Sequence, residues 1–148
     1  MMTLSRNEIA EGLWIPEGPG KWSRPLSFHV ARGSWVKLMR LLPGTRLGLH
    51  RHLGPVHAFN LAGERLLSDG RHVRRHDYVF EPEGNVDWWT AVGEEELIVF
   101  VEVGGAVEYL DERGEVIQRI TAEDRYRDYV QHCEAVGLEC LLAQWPRL

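Results

Sequence analysis

Residues 43–57 read Pro43-Gly44-Thr45-Arg46-Leu47-Gly48-Leu49-His50-Arg51-His52-Leu53-Gly54-Pro55-Val56-His57. The Pro-Gly pair is turn chemistry, and the residues after it are apolar enough to enter a strand. Side chains on a strand alternate faces, so His50 and His52 point the same way and Arg51 points away. Two imidazoles on one face can each offer a nitrogen to a single cation. Neutral imidazole suits zinc, iron, nickel or copper. A third histidine, His57, follows five residues after His52, and Gly63 comes later.

Short apolar, β-branched segments continue in both directions. Strands are expected at 27–31, 35–42, 56–61, 78–81, 86–91, 97–103, 106–110 and 116–119. Pro43-Gly44, Ala62-Gly63, Asp69-Gly70, Pro82-Glu83-Gly84, Gly104-Gly105 and Arg113-Gly114 punctuate them. Many short strands at this spacing read as an antiparallel barrel or sandwich. Residues 121–136 differ: Tyr126, Tyr129, Val130, Cys133 and Val136 fall at helical spacing. Thr121 suits an N-cap, Glu123 and Asp124 the first turn, and Gly137 the stop. The expected organisation is an N-terminal arm over 1–25, a barrel over 26–120, and a C-terminal helix and tail over 121–148.

At 148 residues the chain fits one domain with room for a core. A formal charge of -5 gives no reason to expect a nucleic-acid partner. No apolar run approaches the roughly 20 residues a membrane helix needs. The first ten residues lack the apolar core of a secretory signal. Cys133 and Cys140 form no C-x-x-C pair, so reduced thiols in a cytoplasmic protein are expected. No nucleophile elbow and no phosphate-cradling glycine loop is present.

A second informative stretch lies downstream: Asp77-Tyr78-Val79-Phe80-Glu81-Pro82-Glu83-Gly84-Asn85-Val86-Asp87. Together the two stretches resemble the paired motifs of the cupin superfamily. Gly44, His50 and His52 match the first motif, His57 stands in its glutamate position, and Gly63 comes one residue early. Pro82 and Gly84 match the second motif, with His76 in place of its leading glycine and Asp87 in place of its histidine. Beyond residue 26 most of the chain resembles the dihydroxyacetophenone and acetylacetone dioxygenase-like cupins. The cupin domain of zinc-dependent anti-sigma factors is a more distant resemblance.

The resemblance implies an all-β, single-domain, RmlC-like jelly-roll β-barrel with one C-terminal α-helix. It also implies one divalent metal ion: iron(II) by analogy with the dioxygenases, with zinc or nickel as other occupants. Two ligand sets compete for the ion. His50, His52 and Asp87 would form a two-histidine, one-carboxylate face. Alternatively His57 completes the site and Asp87 orients an imidazole or a water from behind. All four could bind together, or the aspartate could abolish metal binding. Phe59, Phe80 and one of Trp88 and Trp89 would wall a small-molecule pocket, with core packing as the other role for each.

The activity so implied is cleavage of a carbon–carbon bond in a small diketone or hydroxyketone by O2, in a homodimer or homotetramer. The alternative is a non-catalytic cupin that holds zinc or another ligand for sensing or structure.

Overall fold

The computed structural model describes residues 11–144. The signal-peptide question (residues 1–10) and the end of the tail (145–148) fall outside them. Among the described residues twelve strands precede one α-helix: β1 (Ile15–Gly18), β2 (Lys21–His29), β3 (Ser34–Leu41), β4 (Arg46–His52), β5 (Val56–Ala62), β6 (Glu64–Leu67), β7 (His72–Val73), β8 (Tyr78–Glu81), β9 (Val86–Val92), β10 (Leu97–Val103), β11 (Val107–Leu110), β12 (Val116–Ile120) and α1 (Ala122–Val136). They form two six-stranded antiparallel sheets, ordered β1-β2-β3-β10-β5-β8 and β12-β11-β4-β9-β6-β7. The fold is therefore the expected jelly roll, built as two facing sheets rather than one continuous closed ladder.

Strict alternation builds the core between the sheets. On β3 the inward residues are Trp35, Lys37, Met39 and Leu41; on β10 they are Leu97, Val99, Val101 and Val103. Leu47, Leu67, Trp89 and Ala91 answer from the opposite sheet, in one shared cluster. Burying one such Leu or Val stabilises by about 1.5–3 kcal/mol, so these rows hold the sheets together.

At one end two loops touch. A Cβ added at Gly54 would lie 2.6 Å from the Gly104 carbonyl carbon, so only glycine lets the backbones pass.

β1 and β2 run along the edge of the first sheet, so residues 15–18 and 21–25 of the expected arm are sheet. Sequence reading also missed β6 and β7, which are short and lie within a charged stretch. The helix forms as expected. Thr121 and Asp124 make a reciprocal capping box, and Gly137 closes the helix at φ 73°. Tyr126 and Tyr129 pack on Phe28 of β2, with ring centroids 5.5 and 5.9 Å away, which docks the helix outside the sheets.

Candidate metal centre

A bulge decides where the histidines point. In the β4–β9 ladder Leu47 pairs with Trp89, yet His50 pairs with Asp87. Three steps on β4 match two on β9, so β4 carries one extra residue around Gly48 and Leu49. The bulge restores Leu47, His50 and His52 to the same inward face. His50 is 1% exposed and His52 8%. Their rings lie edge to face, with centroids 4.8 Å apart.

Glu81 meets them from the other sheet. It ends β8 opposite Val56, and β8 turns Val79 and Glu81 inward. Its Oε2 lies 3.7 Å from His52 Nε2, and its Oε1 accepts from Asn85 Nδ2 at 2.8 Å. One donor atom from each of His50, His52 and Glu81 lies within 4.8 Å of the others. Ligand bonds to a transition-metal dication are about 2.0–2.2 Å, so a small inward shift seats an ion among them.

The donor chemistry fits such an ion. His50 Nδ1 donates to the Gly48 carbonyl at 2.7 Å, which fixes the tautomer and leaves Nε2 as the free lone pair. His52 Nδ1 is buried without a hydrogen-bond partner. Burial pushes the His52 imidazole down to about 4; Lys37 and Arg65 push the same way and Asp87 opposes them. Burial also lowers His50, against the opposing pull of the Gly48 carbonyl. Both rings are therefore neutral at pH 7, the form that ligates a metal.

Asp87 lies across the ladder from His50, but its Oδ1 accepts from the Ser68 hydroxyl, and it is outside the trio of converging donors. Its charge still favours protonation of both histidines, so it acts on the site through the field. His57 is not brought to the cavity. It sits on β5 among the inward residues Val56, Ala58 and Asn60, and parity turns it to the outer surface. There it hydrogen-bonds the Tyr78 hydroxyl at 2.5 Å and lies 5.2 Å from the Phe80 ring. Phe59 and Phe80 share that outer face at 37% and 51% exposure, so they do not wall the cavity. The tryptophans divide: Trp89 lines the cavity, while Trp88 lies outside under the Arg46 guanidinium, 4.1 Å from it.

The cavity is about 50 Å³, walled by Trp35, Met39, Leu47 and Trp89, with Lys37 and Arg65 beside the histidines. Sequence reasoning quoted Glu81 without assigning it a role. The usable signal was parity: Glu81 shares a face with Val79, a core neighbour, whereas Tyr78 and Phe80 take the opposite one.

Two facing antiparallel sheets enclosing an H-x-H pair and a carboxylate define a cupin. The chain belongs to the ChrR Cupin-like domain family, whose model matches residues 5–107. Among solved structures, an RmlC-like cupin from Ralstonia eutropha JMP134 is similar at 20% identity and TM-score 0.84, covering 93% of this chain and 90% of that one. An acetylacetone dioxygenase from Acinetobacter johnsonii is similar at 18% identity and TM-score 0.76, covering 89% and 95%. The Rhodobacter sphaeroides complex of SigE with the anti-sigma ChrR gives 16% identity and TM-score 0.56, covering 66% and 50%. At these identities the likeness is one of fold. No curated protein sequence matches the chain.

Proposed function

We propose that His50, His52 and Glu81 hold one divalent cation, iron(II) in the active form, and that the protein cleaves a carbon–carbon bond in a small diketone or hydroxyketone with O2. The observation that carries this reading is the convergence of three donors, two of them neutral imidazoles, inside a buried cavity. Two histidines and one carboxylate suit non-heme iron and leave positions open for other ligands.

When bound, iron(II) supplies Lewis acidity toward a chelating substrate and electron exchange with dioxygen. The chain does the rest. His50 is held by the Gly48 carbonyl and Glu81 by Asn85, so neither must reorient. Trp35, Met39 and Trp89 exclude water and limit substrate size. Both oxygen atoms end in the two carbon fragments, so no external reductant is needed. Asp87 is kept as a reserve fourth ligand or an orienting carboxylate behind His50. Assembly as a homodimer or homotetramer in the cytoplasm belongs to the same reading. The exposed aromatic face of Phe59, Tyr78, Phe80 and Phe100 supports self-association.

The test is elemental analysis of protein purified without added metal, then anaerobic iron loading and an oxygen electrode with acetylacetone as probe. About one metal per chain and diketone-dependent oxygen uptake are expected, both lost in His50→Ala. Absence of metal uptake overturns the reading. The family match and the ChrR fold favour a second one, a non-catalytic cupin with zinc in a closed site. Bound metal with no exchangeable water, and no oxygen uptake, selects it.

A further inference from the structure

Arg65 is not used by the metal centre, yet it shares the cavity. It lies on β6, whose inward residues are Arg65 and Leu67, and it is 3% exposed. Its guanidinium rests over the Trp89 ring, 4.8 Å from the centroid. Its Nε and Nη2 are buried without a hydrogen-bond partner. Buried donors left unsatisfied are expensive, and a guanidinium presents its N–H groups in a fork that matches a carboxylate. Glu81 and Asp87 act on it electrostatically, yet neither accepts from those two nitrogens.

The charge balance points the same way. The cavity lining carries Lys37, Arg65 and Arg125 against one carboxylate, Glu81. With the neighbours that act on these groups counted too, Lys21, Lys37, Arg65 and Arg125 face Glu17, Glu81, Asp87 and Asp128, and the charges balance. A dication added to that balance leaves an excess of two positive charges in a buried space. A diketone relieves that excess only after losing a proton to become an enolate, whereas an oxo acid brings its negative charge already formed. The cavity volume corresponds to about four waters, the bulk of a compound with a few carbon atoms.

We infer that Arg65 is an anion-binding subsite beside the metal centre, and that the ligand is a small oxo acid whose carboxylate meets Arg65 while its carbonyl oxygen faces the cation. This rests on the metal reading above for the second contact only.

The test compares acetoacetate with its methyl ester, which keeps both carbonyl groups and removes the charge. Binding to zinc-loaded full-length protein is measured by calorimetry, so the readout is independent of turnover. Wild-type protein is expected to bind the acid at least about tenfold more tightly than the ester. Arg65→Gln should bring that ratio close to one with metal content unchanged, and Arg65→Lys should retain part of the preference. Equal binding of acid and ester by wild-type protein overturns the subsite even if a variant does not fold. An undiminished preference in Arg65→Gln also overturns it, moving the recognition to Lys37 or Arg125. Protein that takes up no zinc but still prefers the acid through Arg65 overturns the metal reading and leaves the subsite standing.

Discussion

His52 and His57 are five residues apart and chemically identical, yet one faces a buried cavity and the other faces water. His52 shares its side of β4 with Leu47, and bulge and pleat carry it between the sheets. His57 shares its side of β5 with Phe59 and Leu61, and the pleat carries it out. Outside, His57 finds a tyrosine hydroxyl and water. Inside, His52 finds a carboxylate, two cations in its field and an unpartnered nitrogen. A histidine's chemistry here follows from which sheet face it occupies and not from its nearness to a motif.

The largest effect expected is loss of the inner donors. His50→Ala should reduce bound metal from about one per chain to near zero, weakening affinity by more than the roughly 10–100-fold typical of outer-shell partners. Glu81→Gln, which keeps a side chain of the same shape, should do the same. Elemental analysis and chelator competition, with circular dichroism to check folding, measure both. Full metal retention in Glu81→Gln would return the carboxylate role to Asp87.

Most strand segments after residue 26, the turn residues and the helix with its cap were readable because alternation, Gly and Pro punctuation and Thr121 each act locally, whereas β1, β6 and β7 are too short to carry that pattern. The pairing of His50 with His52 was readable for the same reason. The inward faces of β5 and β8 were not. On both strands the outward row is the more apolar: Phe59 and Leu61 outside Ala58 and Asn60, Tyr78 and Phe80 outside Val79 and Glu81. A rule that sends the larger apolar row inward picks the wrong face of both strands. It places Phe59 and Phe80 in the cavity and hides Glu81. Only a surface that keeps large aromatics exposed inverts the rule, and no local propensity announces that.

Inside and outside should also differ in the worth of a charge. The Glu17 side chain is only 7% exposed; burial alone would raise its carboxyl, but Lys37, Arg125 and Lys21 outweigh it and hold the group down at about 2. Its folded value is below its unfolded one, so it stabilises above the unfolded value near 4.5 and loses that contribution as pH falls toward 2. Glu17→Gln should destabilise at pH 7 by about 3 kcal/mol in urea melts, a gap that closes through that acid window. Glu95→Gln on the outside breaks an ion pair to Arg75 whose side chains are 61% and 58% exposed, and should change stability by less than about 1 kcal/mol. A similar loss in both would mean that the Glu17 cluster is as wet as the surface. Asp87→Asn falls between these extremes for metal: about a tenfold loss of affinity with the ion retained, since it reaches the site through the field and through Ser68.

The smallest expected effect is the most decisive for the comparison. His57→Ala removes an imidazole that hydrogen-bonds Tyr78 and packs beside the Phe80 ring on the outer face. Stability should shift by less than about 1 kcal/mol, the range of surface substitutions that break one exposed contact. Metal content and affinity should match wild type within error, because the ring is separated from the cavity by the sheet itself. If metal binding fell in His57→Ala as it does in His50→Ala, β5 would have to present its other face in solution. That slip would drag Phe59 and Leu61 inward and expel Val56, Ala58 and Asn60. The ladder from β5 to β10, which pairs Val103 with Val56 and Val101 with Ala58, stands against it.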